Sequence, residues 1–317
     1  MDPAVSIVIP VYNRDKLICR CLDSVWAQTY RPLHVFVVDN NSSDGTPEAV
    51  RRWCRDHGVC DNEGEFRLHL LSELKAGASA ARNRGLSEVD TEHVLFFDSD
   101  DEMLPTLVSD ARHVIGDKDL VYWQAELVGL DGRVKRKPYH VDDLVKRQFY
   151  NSMLATQVYM ARTAFIREIG GWEERALVWN DWELGVRIAL AAPRCVALPK
   201  VLVRIYAQEK SITGSMFSRR VGDWEATLAI VSDKIERRAT DGGKGNVDIA
   251  RLRSMISYRQ MILAAQYRRE GATKEARELM SRAIAGPNMP SGRRFLLRLL
   301  YRYTFLGGRG AYYLWTR

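Results

Sequence analysis

Over roughly the first hundred residues, short β-rich apolar runs alternate with segments of helical period, and that alternation leaves few folds open. Residues 5–9, 34–38, 66–71 and 93–97 read as strands. Between them Leu17, Ile18, Cys21, Leu22 and Val25 recur at helical spacing, and residues 46–57 and 78–89 suit helices. Strand, helix, strand in repetition predicts an α/β fold: a doubly wound, mostly parallel, Rossmann-like sheet. In such sheets ligands bind outside the carboxyl ends of the strands, so the residues just after each run carry the functional information. From about residue 120 the pattern changes to short strands with a turn at Asp131-Gly132, a basic stretch over 133–137 and a strand over 156–160. Gly170-Gly171 then precedes a helix over 179–192, and residues 196–206 are extended again. Beyond residue 215 the chain reads as helical, with glycine-rich breaks at 241–245 and 286–292.

With 46% hydrophobic and 27% charged residues the 317-residue chain can bury a core. No run of about 18 apolar residues is free of charge, and the first six residues lack the basic and apolar regions of a signal peptide, which predicts a chain that stays inside the cell. Five cysteines without CxxC spacing suggest neither a disulfide framework nor a zinc knuckle; Cys19 and Cys21 read as small buried hydrophobes. Of the net charge of +7, residues 289–317 supply six through Arg293, Arg294, Arg298, Arg302, Arg309 and Arg317, with no acid among them. A nucleic-acid-binding body would carry its positive charge on the folded face, so no nucleic-acid partner is expected.

A dinucleotide site would put GxGxxG directly after the first strand, yet no glycine precedes Gly45. GxxxxGK[ST] is missing too, because Gly242-Gly243-Lys244-Gly245 has the wrong spacing. What the strand ends carry is acid: Asp39 after the second run, and Asp98, Asp100 and Asp101 after the fourth. Carboxylates facing an anionic nucleotide repel it unless a cation lies between, which points to Mg²⁺ or Mn²⁺ shared with substrate phosphates. Capping of the helix that follows is the plainer explanation, since Asp and Ser are favoured N-caps; four acids within residues 98–102 exceed what a cap requires.

Five segments carry a resemblance: residues 5–13 (VSIVIPVYN), 37–45 (VVDNNSSDG), 77–85 (GASAARNRG), 96–101 (FFDSDD) and 180–183 (NDWE). In this order, across about the first 215 residues, the chain resembles the family 2 glycosyltransferases of GT-A fold. The resemblance implies that Pro10, Tyr12 and Asp39 line a nucleoside pocket, that Asp44 shapes the turn beside it, and that Arg82 lies near the base or diphosphate. It further implies Asp98 on the ribose, Asp100 on the metal as in the family's DxD element, and Asp181 as the general base of an inverting transfer. A base at the start of a helix sits near a positive dipole end, which lowers its pKa. Glu183 is the rival carboxylate, and a first-turn acid without catalytic duty is the plainer reading. The sequence departs from the family at Asn180, where an acid is common, and at residues 206–209, where a histidine often adds a metal contact; Gln208 or Glu209 substitutes there, or water does.

The implied function is a metal-dependent inverting glycosyltransferase moving a sugar from a nucleoside diphosphate, UDP being the commonest donor, to a hydroxyl of a glycan or lipid-linked acceptor. The division expected is 1–120 for the nucleotide sugar, 121–215 for the acceptor and base, 216–288 as a helical extension and 289–317 as a basic amphipathic tail. In the tail Arg294, Arg298 and Arg302 recur every four residues among Phe295, Leu296, Leu299, Leu300, Tyr303 and Leu306, which suits an anionic membrane surface on the cytoplasmic side. A helix docked on the body or on a second subunit is the alternative. A sugar nucleotidyltransferase would need a glycine- and arginine-rich loop after the first strand, which this chain lacks; a non-catalytic scaffold that binds nucleotide sugar is the other alternative. Trp172, Trp179 and Trp182 serve either as a sugar-stacking platform or as core.

Overall fold

The computed structural model describes residues 2–59, 64–137, 139–208, 216–240, 248–286 and 289–315. It resolves into two compact units, one made of Met1–Gln148 and Ser152–Glu209, the other of Phe149–Asn151 and Lys210–Arg317. The glycine-rich break at 241–245 and Glu209 lie outside the described residues.

The first unit runs β1 (Val5–Val11), α1 (Ile18–Trp26), β2 (Leu33–Asp39), α2 (Thr46–Asp56), β3 (Phe66–Ser72), α3 (Ala78–Glu88), β4 (His93–Phe96), β5 (Glu102–Met103), α4 (Leu107–Ile115), β6 (Leu120–Val128) and β7 (Val134–Arg136). It continues with α5 (Leu144–Asn151, of which Phe149–Asn151 counts with the second unit), β8 (Tyr159–Arg162), α6 (Thr163–Glu168), α7 (Asn180–Leu190) and β9 (Cys195–Tyr206). All seven residues of β1 are buried, as a strand covered on both faces requires. Its side chains alternate: Val5, Ile7, Ile9 and Val11 join Ile18, Leu22 and Val25 of α1, whereas Val8 joins Ala81 and Leu86 of α3 and Leu184 and Ile188 of α7. Gly85 makes that second layer possible, because a Cβ there would stand 2.4 Å from Val8 Cγ1.

The sheet order is β3-β2-β1-β4-β8-β6-β9-β5, with β7 paired to β6. Strands β1 to β4 are mutually parallel, while β8 is antiparallel to both β4 and β6. Chain order reverses direction at β1, between β2 and β4, so the crevice expected of such a sheet opens beyond Val11, Asp39 and Phe96. Most boundaries shift by one or two residues, and at one place the local structure differs in kind: Thr156–Val158 forms a 3-10 turn, closed by Val158 N donating to Ala155 O at 3.2 Å, and the strand begins only at Tyr159.

The second unit contains α8 (Val221–Thr240), α9 (Ile249–Arg269), α10 (Thr273–Ile284), α11 (Ser291–Phe305) and α12 (Ala311–Trp315). Helix α9 packs on α8, α10 and α11, and Gly271, at φ +89°, turns the chain from α9 into α10. Helix α11 divides its apolar residues. Leu297 and Leu300 face inward, while Phe295 and Leu306 are 62% and 81% exposed, with Leu299 and Tyr303 exposed between them. Arg294, Arg298 and Arg302 are exposed beside that outer stripe. No described helix is long and apolar enough to cross a membrane.

Candidate functional site

Asp39 closes β2 opposite Val11 of β1. It is buried; its Oδ2 accepts from Ser42 N at 3.3 Å, and its Oδ1 has no partner among the described residues. A buried carboxylate oxygen left bare is costly unless a ligand donor meets it. The loops around it are fixed by asparagines. Asn40 donates to Glu73 O and Lys75 O at 2.9 and 2.8 Å and accepts from Gly77 N at 2.8 Å, tying the loop after β3 to the end of β2. Asn13 and Asn41 adopt left-handed φ of 50° and 63°, a conformation asparagine tolerates. Asp44 accepts from Thr46 N at 2.9 Å, from the Thr46 hydroxyl and from Asp15 N at 3.3 Å. Burial works against its ionisation, but those hydrogen bonds prevail and hold it below the usual carboxylate range. Pro10 is buried within β1 opposite Val38, and Tyr12 is 56% exposed at the strand's end.

The acids after β4 divide their work. Asp98 Oδ1 accepts from Arg82 Nη2 at 2.6 Å and its Oδ2 from Gln157 Nε2 at 2.7 Å. Asp101 accepts from the same Gln157 amide and, at 2.9 Å, from Tyr206 N at the end of β9. Burial, then the charges of Asp98 and Asp100, push Asp101 well above the carboxylate range, so it is a structural tie. Asp100 is the least engaged member: its side chain, 20% exposed against 29% for Asp98, has an ion pair with Arg14 Nε at 3.6 Å in place of the short bonds that hold Asp98. Burial and then Asp98 raise its pKa, with Arg14 and Arg20 opposing.

Arg82 is 4% exposed, stacks at 4.3 Å on the buried Trp172 and also reaches Asn180 Oδ1 at 3.4 Å. It thereby joins Asp98 to the first turn of α7, where Asp181 accepts from Trp182 N at 2.8 Å. Asp181 has its pKa raised, first by burial, with Lys137 and Arg82 opposing. The helix dipole therefore does not win: the expected lowering is corrected by the desolvation of the carboxylate. Glu183 is fully buried and held by Arg187 through two bonds of 2.8 and 2.7 Å. Trp172 and Trp182 are core residues, at 2% and 0% exposure, and are not free to form a sugar platform; Trp179 is half-buried.

Among the described residues no group of three or more His, Cys, Asp or Glu is arranged to hold a metal unaided. Asp100 nonetheless fits a divalent cation that takes one protein carboxylate and completes its shell with phosphate and water, since it is partly open and crowded by like charge. Gln208 is half-buried two residues past β9, whose last amide donates to Asp101. The sequence reading overlooked Arg14, Arg20, Gln157 and Lys137. Arg14 directly follows the first quoted segment, and its backbone N donates to Thr46 Oγ1 at 2.8 Å, so it spans the loops of Asp39 and Asp100. Arg20 stacks at 4.0 Å on Tyr206 and donates to Asp100 O. Gln157 carries no signal in its local sequence.

A family model described as Glycosyl transferase family 2 matches residues 6–168. Among curated proteins, a GalNAc(5)-diNAcBac-PP-undecaprenol beta-1,3-glucosyltransferase of Campylobacter jejuni is 31% identical over 107 residues, 34% of this chain and 33% of that protein. The alignments to the first such relatives span only 13% to 37% of those proteins' own lengths. Of solved structures, S. aureus TarS 1-349 in complex with UDP-GlcNAc superposes with a TM-score of 0.65 at 18% identity, over 94% of this chain and 86% of that one. The mannosyltransferase PcManGT of Pyrobaculum calidifontis, in complex with GDP-Man and Mn²⁺, gives 0.59 at 22% identity, over 96% and 84%. These likenesses establish a shared fold, the GT-A type expected above.

Proposed function

The chain belongs to glycosyl transferase family 2, and on that premise we propose that it moves a sugar, with inversion, from a UDP sugar to a hydroxyl of a glycan or lipid-linked acceptor. The observation that carries this reading is the division of the acids. Asp101, Asp44 and Glu183 are engaged by strong internal partners, which leaves for a ligand Asp100, Asp181, one oxygen of Asp39 and the 29% exposed edge of Asp98 beside Arg82. Asp39 accepts from the base edge, with Tyr12 stacking on the ring and Pro10 and Asp44 shaping the turn around it. Asp98 and Arg82 meet the ribose and diphosphate. Asp100, with Gln208, holds Mn²⁺ or Mg²⁺. When bound, the cation supplies charge stabilisation for the leaving diphosphate. Asp181 removes the proton from the acceptor hydroxyl as its oxygen attacks the anomeric carbon and the diphosphate departs from the opposite face. The UDP-GlcNAc and GDP-Man complexes of the structural neighbours support a nucleoside diphosphate donor, Mn²⁺ in one of them supports a divalent cation, and the C. jejuni relative's name supports a lipid-linked acceptor.

Calorimetric titration with UDP, GDP and dTDP, each with and without Mn²⁺, tests donor class and cation together. UDP is expected to bind most tightly and to gain at least about tenfold from Mn²⁺, or roughly 1.4 kcal/mol. Equal binding of all three, unaffected by the metal, contradicts the reading.

The outer stripe of α11 extends the proposal to location: the protein lies on the anionic, cytoplasmic face of a membrane through Phe295, Leu299, Tyr303 and Leu306, flanked by Arg294, Arg298 and Arg302. Each cation near such a surface contributes about 1 kcal/mol, so changing all three arginines to glutamate should weaken co-flotation with phosphatidylglycerol vesicles by on the order of 10²-fold or more. Wild type that ignores those vesicles, or a variant that floats equally well, makes α11 a docking helix instead.

A further inference from the structure

One half-buried cation of the first unit, Lys137, lies outside the set of residues assigned above to the donor. Lys137 follows β7 directly, and its backbone N donates to Ala125 O at 2.8 Å, which fixes the chain there to β6. Its ammonium donates to Ser152 O at 3.1 Å and Met153 O at 3.4 Å. Ser152, left-handed at φ 47°, caps the end of α5, so one duty of Lys137 is to satisfy the carbonyls of a helix terminus. Capping by itself does not call for burial, and here burial drives the amino group down to about 8.

The neighbour of Lys137 accounts for that placement. The loop at 152–154 is clamped to α7 by the fully buried Gln148, which donates to Trp182 O at 3.2 Å and accepts from Leu154 N at 2.8 Å. Gly185 permits this clamp, since a Cβ there would fall 2.1 Å from Gln148 Nε2. The loop that anchors the ammonium is thus tied to Trp182, the residue that follows Asp181 in the first turn of α7. Of the charged groups acting on Asp181, Lys137 is the leading cation, Arg82 from α3 is weaker, and Asp98 after β4 opposes both. Tyr159 of β8, its hydroxyl buried without a partner, is the remaining titratable group that responds to Asp181. Asp181 in turn is the charge that favours the protonated form of Lys137.

We propose that Lys137 is a positioning residue for sugar transfer: its ammonium, anchored on the Ser152 and Met153 carbonyls, is the counter-charge that keeps the Asp181 carboxylate ionised and fixed for proton removal. This rests on Asp181 being the base. The sign follows from the base's need to be unprotonated: activity is lost as pH falls through the pKa of Asp181, and removing a nearby positive charge raises that pKa, moving the acid limb to higher pH.

The test is the pH profile of kcat/KM for Lys137→Gln, Lys137→Met and Lys137→Arg beside wild type and Asp181→Asn. Glutamine and arginine retain donors for the two carbonyls, and methionine fills the space if glutamine does not fold. Loss of the charge in the glutamine or methionine variant should move the acid limb upward by about 1 pH unit, the low end of what one opposite charge supplies, and arginine should leave it in place. An unmoved limb in the neutral variants, with only a lower plateau, reduces Lys137 to a helix cap and overturns the proposal. Full turnover in Asp181→Asn overturns the base assignment itself, whatever the lysine variants do.

Discussion

Asp181→Asn is expected to bind UDP as wild type does and to transfer sugar on the order of 10² to 10⁴ times more slowly, a barrier increase of about 3 to 5 kcal/mol. Asparagine is nearly isosteric, and its side-chain oxygen can still accept from Trp182 N, as Asp181 does at 2.8 Å, so the first turn of α7 is retained. What disappears is a carboxylate that burial has made more basic than an ordinary aspartate, and hence a better proton acceptor. Glu183 cannot take its place, because it is fully buried and bound twice by Arg187. Single-turnover transfer rates beside nucleotide titrations separate the two effects: unchanged turnover refutes the assignment, and lost nucleotide binding shows that Asp181 serves the donor instead.

The second large effect is expected at Asp100. Replacing it with alanine should abolish the tightening of UDP by Mn²⁺ and lower turnover by about 10³-fold, in keeping with the several kcal/mol that a cation lends to a departing diphosphate. The neighbouring acids are not spares: Asp98 is committed to Arg82 and Gln157, and Asp101 to Gln157 and Tyr206 N. The folded state should tolerate the change, since Asp100 is crowded by Asp98 and the substitution relieves that repulsion. Thermal melting reports on the fold and titration on the metal dependence; a variant that keeps the Mn²⁺ effect removes Asp100 from the cation site.

The parallel half of the fold was readable because β1, β2 and β4 are largely apolar runs that end on a polar residue or meet one within two residues. Val5–Val11 is buried throughout and Leu33–Asp39 nearly so, and burial on both faces writes itself into consecutive side chains. The strand-end acids were visible by residue type for the same reason, as charged residues next to an apolar run. The antiparallel insertion of β8 was not, because pairing direction depends on partners far along the chain: His93 meets Arg162 and Leu120 meets Ala161. Side-chain partnership was hidden in the same way. Gln157, which decides that Asp98 and Asp101 are engaged, is 59 and 56 residues from them. The basicity of Asp181 was misjudged because the helix start is local and legible, whereas the burial that outweighs it comes from the whole fold.

The central claim is that Asp100 grips a cation shared with the donor's diphosphate. Anomalous diffraction from crystals grown with UDP and Mn²⁺ tests it most directly. A manganese peak about 2.0 to 2.6 Å from an Asp100 carboxylate oxygen, with diphosphate oxygens completing the shell, is the predicted result. Bound UDP with Asp100 still facing Arg14, and no peak between the carboxylate and the phosphates, would contradict it.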